Sequence, residues 1–370
     1  MADINVFEDE AFSVSSLTAA INEAPEVPGR LAALGLFEEE GSTTITQQIE
    51  KDGDTLHLVP AADRGAPGLV VTGSKRVLIP FNNVHLPQTF TILADEIQGI
   101  RAFGEQTELQ AVQDVVNKRL GKMRRQLDAT HEHQRMGAVL GTILDADGST
   151  VLLDLYDRFG ISAQVVQMEL GSATTKVRLK AGEALDAQED ALGNIPSSGS
   201  RALCGKNFWN ALITHKSVEE TYLNTMQASQ LRGDAREEFE FGGVIWERYR
   251  GKVGGRSFIP DDEARLVPIG VPELFLSIFA PANYMETVNT LGLPYYAKQE
   301  VMPFNKGVAG EAQSNPLHIC TRPRAVIKLV KWWPALSNWS PTWTRSSPTS
   351  SAMVSLATWT ALAGRSAMLR

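Results

Sequence analysis

Apolar residues at Leu109, Val112, Val116, Leu120, Met123 and Leu127 recur at intervals of three and four, the spacing that gathers side chains onto one stripe of an α-helix. No proline occurs between Pro87 and Pro196, so nothing in the covalent chain forces a break. Thr107 and Gln110 have the spacing of a capping box at its start. The pattern predicts one helix over residues 107–140, roughly 50 Å long at about 1.5 Å per residue. The mean globular helix has only about 11–12 residues, so this one is expected to span a domain as its spine.

On the N-terminal side, residues 43–60 and 74–81 alternate β-branched or apolar positions with polar ones, as at Thr44, Ile45 and Thr46. They predict two strands of a long hairpin whose tip, 61–73, is rich in Gly, Ala and Pro and has little to bury. Such a hairpin is marginal alone and needs something to lean on. Residues 1–41 are acidic and broken by Pro28 and Gly29, and predict an extended arm with a short helix at 15–22 and little core of its own. Residues 84–100 predict another strand.

Beyond the spine, 142–144 and 150–153 flank Asp145-Ala-Asp-Gly-Ser, a hairpin turn. Residues 161–179 contain two alternating segments, 206–223 predict one helix, and 239–249, 264–267 and 324–331 predict strands, the first two joined by a glycine-rich turn at 251–255. The last 39 residues differ. They hold five of the seven tryptophans, eight serines and no acidic residue, with no sustained period, so residues 332–370 are expected to stand outside the fold as a disordered tail.

At 370 residues, 43% hydrophobic and 21% charged, the composition is that of a globular protein of one large or two ordinary domains. The net charge of -8 is uneven: residues 1–104 carry 15 acidic and 6 basic residues, whereas everything after Glu311 has seven basic residues and no acid. An acidic chain makes a poor general nucleic-acid binder, so any such contact must be local. Two cysteines give no disulfide framework and point to a reducing compartment. The acidic start lacks the form of a signal peptide and no apolar run reaches the ~20 residues of a membrane span, so the chain is expected in a cytoplasm.

Each candidate for chemistry fails on spacing. Gly205-Lys206 lacks the Gly at 200 and the Ser or Thr at 207 of a phosphate loop, and reads as the start of a helix. Asp145, Asp147 and Gly148 resemble a calcium loop, but Thr150 and Tyr156 stand where Gly and a bidentate Glu are required. His131 and His133, two apart on a helix, point to nearly opposite sides and cannot share a metal; both are expected in solvent. Cys204 and Cys320 have no CxxC partner and read as small core residues. Asp261, Asp262 and Glu263 read as an exposed turn. No catalytic, metal or cofactor site is predicted. One charge cluster survives: Lys118, Arg119, Lys122, Arg124 and Arg125 put five cations within eight residues of the long helix. They form either a solvated face or a contact for phosphates or an acidic partner.

Three blocks carry a resemblance. Residues 81–104 (FNNVHLPQTFTILADEIQGIRAFG) lead into the long helix. Residues 239–246 (FEFGGVIW), 258–268 (FIPDDEARLVP) and 279–298 (FAPANYMETVNTLGLPYYAK) follow, and 315–331 (NPLHICTRPRAVIKLVK) closes the series. In this order they resemble the major capsid protein E family of tailed phages, the lambda head-protein type, over roughly residues 1–331. The resemblance implies an α+β Hong Kong 97-type capsid fold: N-terminal arm (1–41), extended hairpin loop (42–80), peripheral domain with spine helix (81–170), axial domain (171–314) and a terminal strand returning to the peripheral domain (315–331). It implies no enzyme activity and no cofactor.

The function so implied is a major head protein of a tailed phage or prophage, assembling in the bacterial host cytoplasm into hexamers, pentamers and an icosahedral virion shell around double-stranded DNA. Its partners would be further copies of itself, a scaffold protein, a portal, a head decoration protein and the packaged DNA, with no membrane. The five cations Lys118, Arg119, Lys122, Arg124 and Arg125 would face the interior, meeting scaffold or DNA. Competing readings are a cytoplasmic DNA-binding protein that uses the basic helix, and a cytoplasmic enzyme with an unrecognised site.

Overall fold

The computed structural model describes residues 10–24, 29–51, 77–93, 95–96, 108–223, 238–253 and 255–331. The capping pair at Thr107, the hairpin tip 61–73 and the tail 332–370 lie outside the described residues. Helix α1 (Val14–Glu23) starts where Ser13 accepts the Ser16 N–H, and buries Leu17, Thr18 and Ile21. A single turn, α2 (Arg30–Ala33), and strand β1 (Glu38–Gly41) follow. Strands β2 (Thr46–Lys51) and β3 (Val77–Asn82) pair antiparallel with Ile49 opposite Ile79, the base of the predicted hairpin. Then come β4 (Leu86–Leu93) and the spine, α3 (Glu108–Leu140), 33 residues without interruption.

A hairpin of β5 (Thr142–Leu144) and β6 (Val151–Asp154) leads to α4 (Leu155–Phe159), which is capped by the Asp154 carboxylate and stopped by Gly160 at φ 60°. Next are β7 (Val165–Gln167), α5 (Val177–Leu192), β8 (Gly199–Cys204), α6 (Lys206–Ile213) and α7 (Lys216–Leu223). Strands β9 (Glu238–Phe241), β10 (Val244–Arg248), β11 (Lys252–Val253), β12 (Arg256–Ser257), β13 (Glu263–Ile269) and β14 (Phe275–Phe279) precede β15 (Tyr296–Val301), β16 (Gly307–Ser314), β17 (Pro316–Cys320) and β18 (Ile327–Val330).

Three sheets organise twelve of these strands, β7-β18-β13-β8-β10-β9, β15-β16-β4 and β1-β14-β17, and the pairs β2–β3, β5–β6 and β11–β12 stand as two-stranded ribbons. The N-terminal half of α3 sends Val116, Leu120, Met123 and Leu127 into one core, shared with α1 and the β15-β16-β4 sheet. Its C-terminal end sends Met136, Ala138 and Val139 into a second core with Leu31, Phe37, Phe275 and Leu317. The third core lies between the six-stranded sheet and α5 to α7, around Trp209 and Trp246. A long helix is needed because one element backs two separate cores.

Several expectations are corrected. Residues 10–24 and 29–41 contribute more core than expected: Phe12, Leu17, Ile21 and Leu31 are buried, because α1 packs against β15 and α3 and β1 runs parallel to β14. Residues 171–179 lead into helix α5 rather than a strand. Its buried positions, Val177, Ala181, Ala184, Gln188 and Leu192, keep helical spacing. The single helix at 206–223 is two, because the His215 ring accepts the Ser217 N–H and starts α7. Residues 239–249 are a hairpin, turned at Gly242-Gly243, rather than one strand. Residues 315–331 divide: β17 joins β14 beside α3, whereas β18 pairs with β13 and β7 in the six-stranded sheet. Within 275–314, β14, β15 and β16 belong to the two three-stranded sheets that adjoin the spine.

Candidate functional site

The five cations of α3 do not form one face. At about 100° per residue, Lys118, Lys122 and Arg125 fall within about 60° of one another, while Arg119 stands about 100° to one side and Arg124 about 120° to the other, next to the apolar stripe. Lys118, Lys122 and Arg125 are exposed. Arg119 pairs with Glu96 at 2.5 Å. Arg124 is buried, donating from Nη1 to the carbonyls of Ile21 (2.7 Å) and Asn22, with its guanidinium over the Tyr295 ring and Asp128 3.8 Å away. It closes the C-terminal end of α1, whose last carbonyls have no helical partner, and is a structural clamp rather than a surface contact.

Arg125 looks onto a cavity of about 480 Å³ between α3, α2 and the β11–β12 hairpin, ringed also by Arg30, Arg248, Arg250 and Lys252. The acids around it are engaged inward. Glu247 takes Arg30 and Arg201, each at 2.5 Å, and Glu132 Oε1 accepts the Leu31 N–H and the Tyr249 hydroxyl. Burial, and then the neighbouring Glu132 carboxylate, push the Tyr249 phenol up, so it stays a donor. Gly29 lies close against Glu132 here, and a Cβ at that position would displace its carboxylate. The cavity rim is therefore cationic in balance, in a chain that is acidic overall.

His131 is not solvated but buried, and it belongs to a chain of hydrogen bonds linking three strands to the spine. Ser314 Oγ donates to the Pro294 carbonyl at 2.6 Å, so it must accept from His131 Nε2 at 3.1 Å. His131 Nδ1 is then an acceptor, and His318 Nε2 donates to it at 3.0 Å. His318 Nδ1 in turn accepts from the Ser277 hydroxyl at 2.8 Å. Both rings are neutral Nε2–H tautomers. Burial, with Arg135 adding repulsion, brings His131 down to about 3; burial, His131 and Arg135 hold His318 well below the usual imidazole range. His133 is half-buried with its ring against Phe258, and burial lowers its pKa against the opposing pull of Asp145.

The other chemical candidates resolve into structure. Asp147 accepts from the N–H and hydroxyl groups of both Ser149 and Thr150, forming the predicted hairpin turn and holding its carboxyl well below the usual range. Gly205 starts α6, and Cys204 and Cys320 are buried in separate cores with thiols raised by burial. Glu263 is no idle turn residue: it pairs with Arg265 two positions along β13 at 3.0 Å and with Lys328 across on β18 at 2.6 Å. Among the described residues, no three His, Cys, Asp or Glu side chains are grouped to hold a metal, and no helix is long and apolar enough to cross a membrane.

The phage major capsid protein E family matches residues 13–331 of this chain. The major capsid protein of Pseudomonas phage KPP10 is 30% identical over 339 residues, covering 86% of this chain and 96% of the relative. That of Salmonella phage Felix O1 is 25% identical over 355 residues, with the same coverage of each. Among solved structures, a prophage capsid protein from E. coli CFT073 superposes with a TM-score of 0.54 at 17% identity, over 86% of this chain and 99% of that one. At that identity the likeness is one of fold.

Proposed function

Given that this chain belongs to the phage major capsid protein E family, with a Hong Kong 97-type fold, we propose that it works by assembly rather than catalysis, many copies tiling an icosahedral head around phage DNA. The observation that carries this reading is the match across residues 13–331, which includes the spine helix and the three sheets packed around it. The spine, with β4, β15, β16 and the β1-β14-β17 sheet, fits the peripheral part of such a subunit. The six-stranded sheet with α5, α6 and α7 fits the axial part, and β18 goes with it.

The β2–β3 hairpin would reach over a neighbouring subunit. Lys118, Lys122 and Arg125 would face the interior, meeting first an acidic scaffold protein and then packaged DNA, because a shared exposed face of cations in an acidic chain attracts polyanions. Arg119 and Arg124 are already engaged and drop out of that contact. A portal and a head decoration protein would complete the head, with assembly in the host cytoplasm before release as virions. The alternative, a free-standing DNA-binding protein, has no support from the relatives, and three aligned cations give it a small footprint.

Negative-stain microscopy of the purified chain tests the proposal. Capsomers, shells or tubes are the expected result, and a population of monomers at every concentration overturns it.

A further inference from the structure

The connection between β14 and β15 carries a run of exposed apolar side chains among exposed polar ones, with Thr287 buried beneath them. Met285, Val288, Leu291 and Leu293 are 86%, 57%, 62% and 42% exposed within nine residues. A mobile loop could hide such side chains by folding over them, but this one is fixed by a set of internal bonds. Thr287 Oγ1 donates to the Ala282 carbonyl at 2.8 Å, and Thr290 Oγ1 to the Thr287 carbonyl at 2.8 Å. The Tyr296 hydroxyl accepts the Leu293 N–H at 2.9 Å and donates to the Leu291 carbonyl.

Gly292 N–H bonds to the Ser42 carbonyl, and a Cβ on Gly292 would strike the Phe279 carbonyl, so the loop is seated tightly on β1 and β14. Glu286 is neutralised by Lys298 at 2.7 Å. What faces outward is held in place, carries no net charge once Glu286 meets Lys298, and mixes the four apolar side chains with neutral Asn283, Asn289 and Thr290, a surface whose ordering entropy is spent before any partner arrives.

We propose that this loop, residues 282–293, is a contact surface for a second copy of the chain within the shell, an inference that rests on the assembly reading above. Its size selects that occupant. Four partly exposed side chains offer much less than the ~800 Å² per partner of a standard stable interface. A patch this small does not hold a dimer together alone. It suits one of several contacts made at once by each subunit of a closed lattice, where linked contacts reinforce one another. The absence of net charge fits the same occupant, since a nucleic acid or an acidic scaffold would call for cations here.

The test uses the full chain. Its two native cysteines, Cys204 and Cys320, are both buried, so Val288→Cys introduces a single accessible thiol for maleimide labelling. The thiol is expected to label rapidly in dissociated subunits and at least tenfold more slowly in particles assembled from this chain alone. Equal labelling in both overturns the inference, as does protection that appears only after a different protein is added.

In parallel, the triple variant Met285→Asp, Val288→Asp, Leu291→Asp is expected to keep the wild-type circular dichroism spectrum and melting temperature yet form no particles. Normal particles from that variant overturn the inference while the assembly reading stands. A wild-type chain that never assembles removes both.

Discussion

His131 on the spine helix donates through Nε2 to Ser314 and accepts at Nδ1 from His318 on β17, 3.0 Å away. Each ring is held by one donor and one acceptor, so neither nitrogen has room for a second proton without breaking a bond. The pair fastens α3 to β14, β16 and β17 only while both rings are neutral.

Acid should therefore loosen the fold. His131 titrates near 6.5 when unfolded and near 3 in the fold. Between those values the unfolded chain binds more protons, and stability falls as pH falls. The contribution is complete above about pH 6.5 and is lost on the way down to pH 3, with about 3 kcal/mol gone by pH 4. Urea unfolding at pH 7, 5.5 and 4 measures it. The double variant His131→Gln, His318→Gln should show a shallower decline than the wild type, and parallel curves would refute the assignment.

Arg124 and Lys122 should behave as opposites although both are cations on the same helix. Arg124→Met removes the donors to the Ile21 and Asn22 carbonyls and leaves buried Asp128 without that guanidinium, at an expected cost of about 2–4 kcal/mol. Lys122→Met on the exposed side should change stability by less than about 0.5 kcal/mol. Chemical denaturation of the two variants distinguishes the clamp from the surface charge.

Replacing Lys118, Lys122 and Arg125 together by Gln should leave the melting temperature in place and weaken binding to an acidic scaffold or to DNA. The wild-type binding should fall with added salt, since the interaction reaches only about 8–10 Å at physiological ionic strength. Fluorescence anisotropy across a salt series reads both effects. Equal affinity for variant and wild type would leave these residues as solvated charge.

A chain ending at Lys331 should fold and assemble at least as well as the full one. The family match stops at residue 331, and β18 closes the six-stranded sheet at Val330. Five tryptophans without periodic spacing add no amphipathic element beyond it. Melting temperature and particle yield of the truncated chain decide the point, and loss of either would make the tail a structural part.

Sequence periodicity found what is long and strongly patterned. The spine was expected over 107–140 and runs over Glu108–Leu140; the Asp145–Ser149 turn and the strand within 324–331 also stand where the pattern put them. Helix α5 escaped because two of its buried positions are Ala181 and Ala184 and a third is Gln188, which carry little hydrophobic signal. Arg124 was legible in principle, since a helical wheel sets it beside the apolar stripe, but grouping cations by count hid that. The burial of His131 and the sheet membership of β18 were not legible. Both depend on contacts between residues far apart in sequence, which no local spacing encodes.

The Thr18 hydroxyl meets Ala297 at a sequence separation of 279, and β1 lies in register with β14. During synthesis α1 and β1 therefore lack part of their packing until β14 and β15 have left the ribosome, although α3 can cover Leu17, Ile21 and Leu31 before then. A subunit that cannot close its own N-terminal half early also cannot offer a finished surface early. Timing is thus built into the topology: a copy whose synthesis stops before β14 and β15 lacks the strands on which β1 and α1 close.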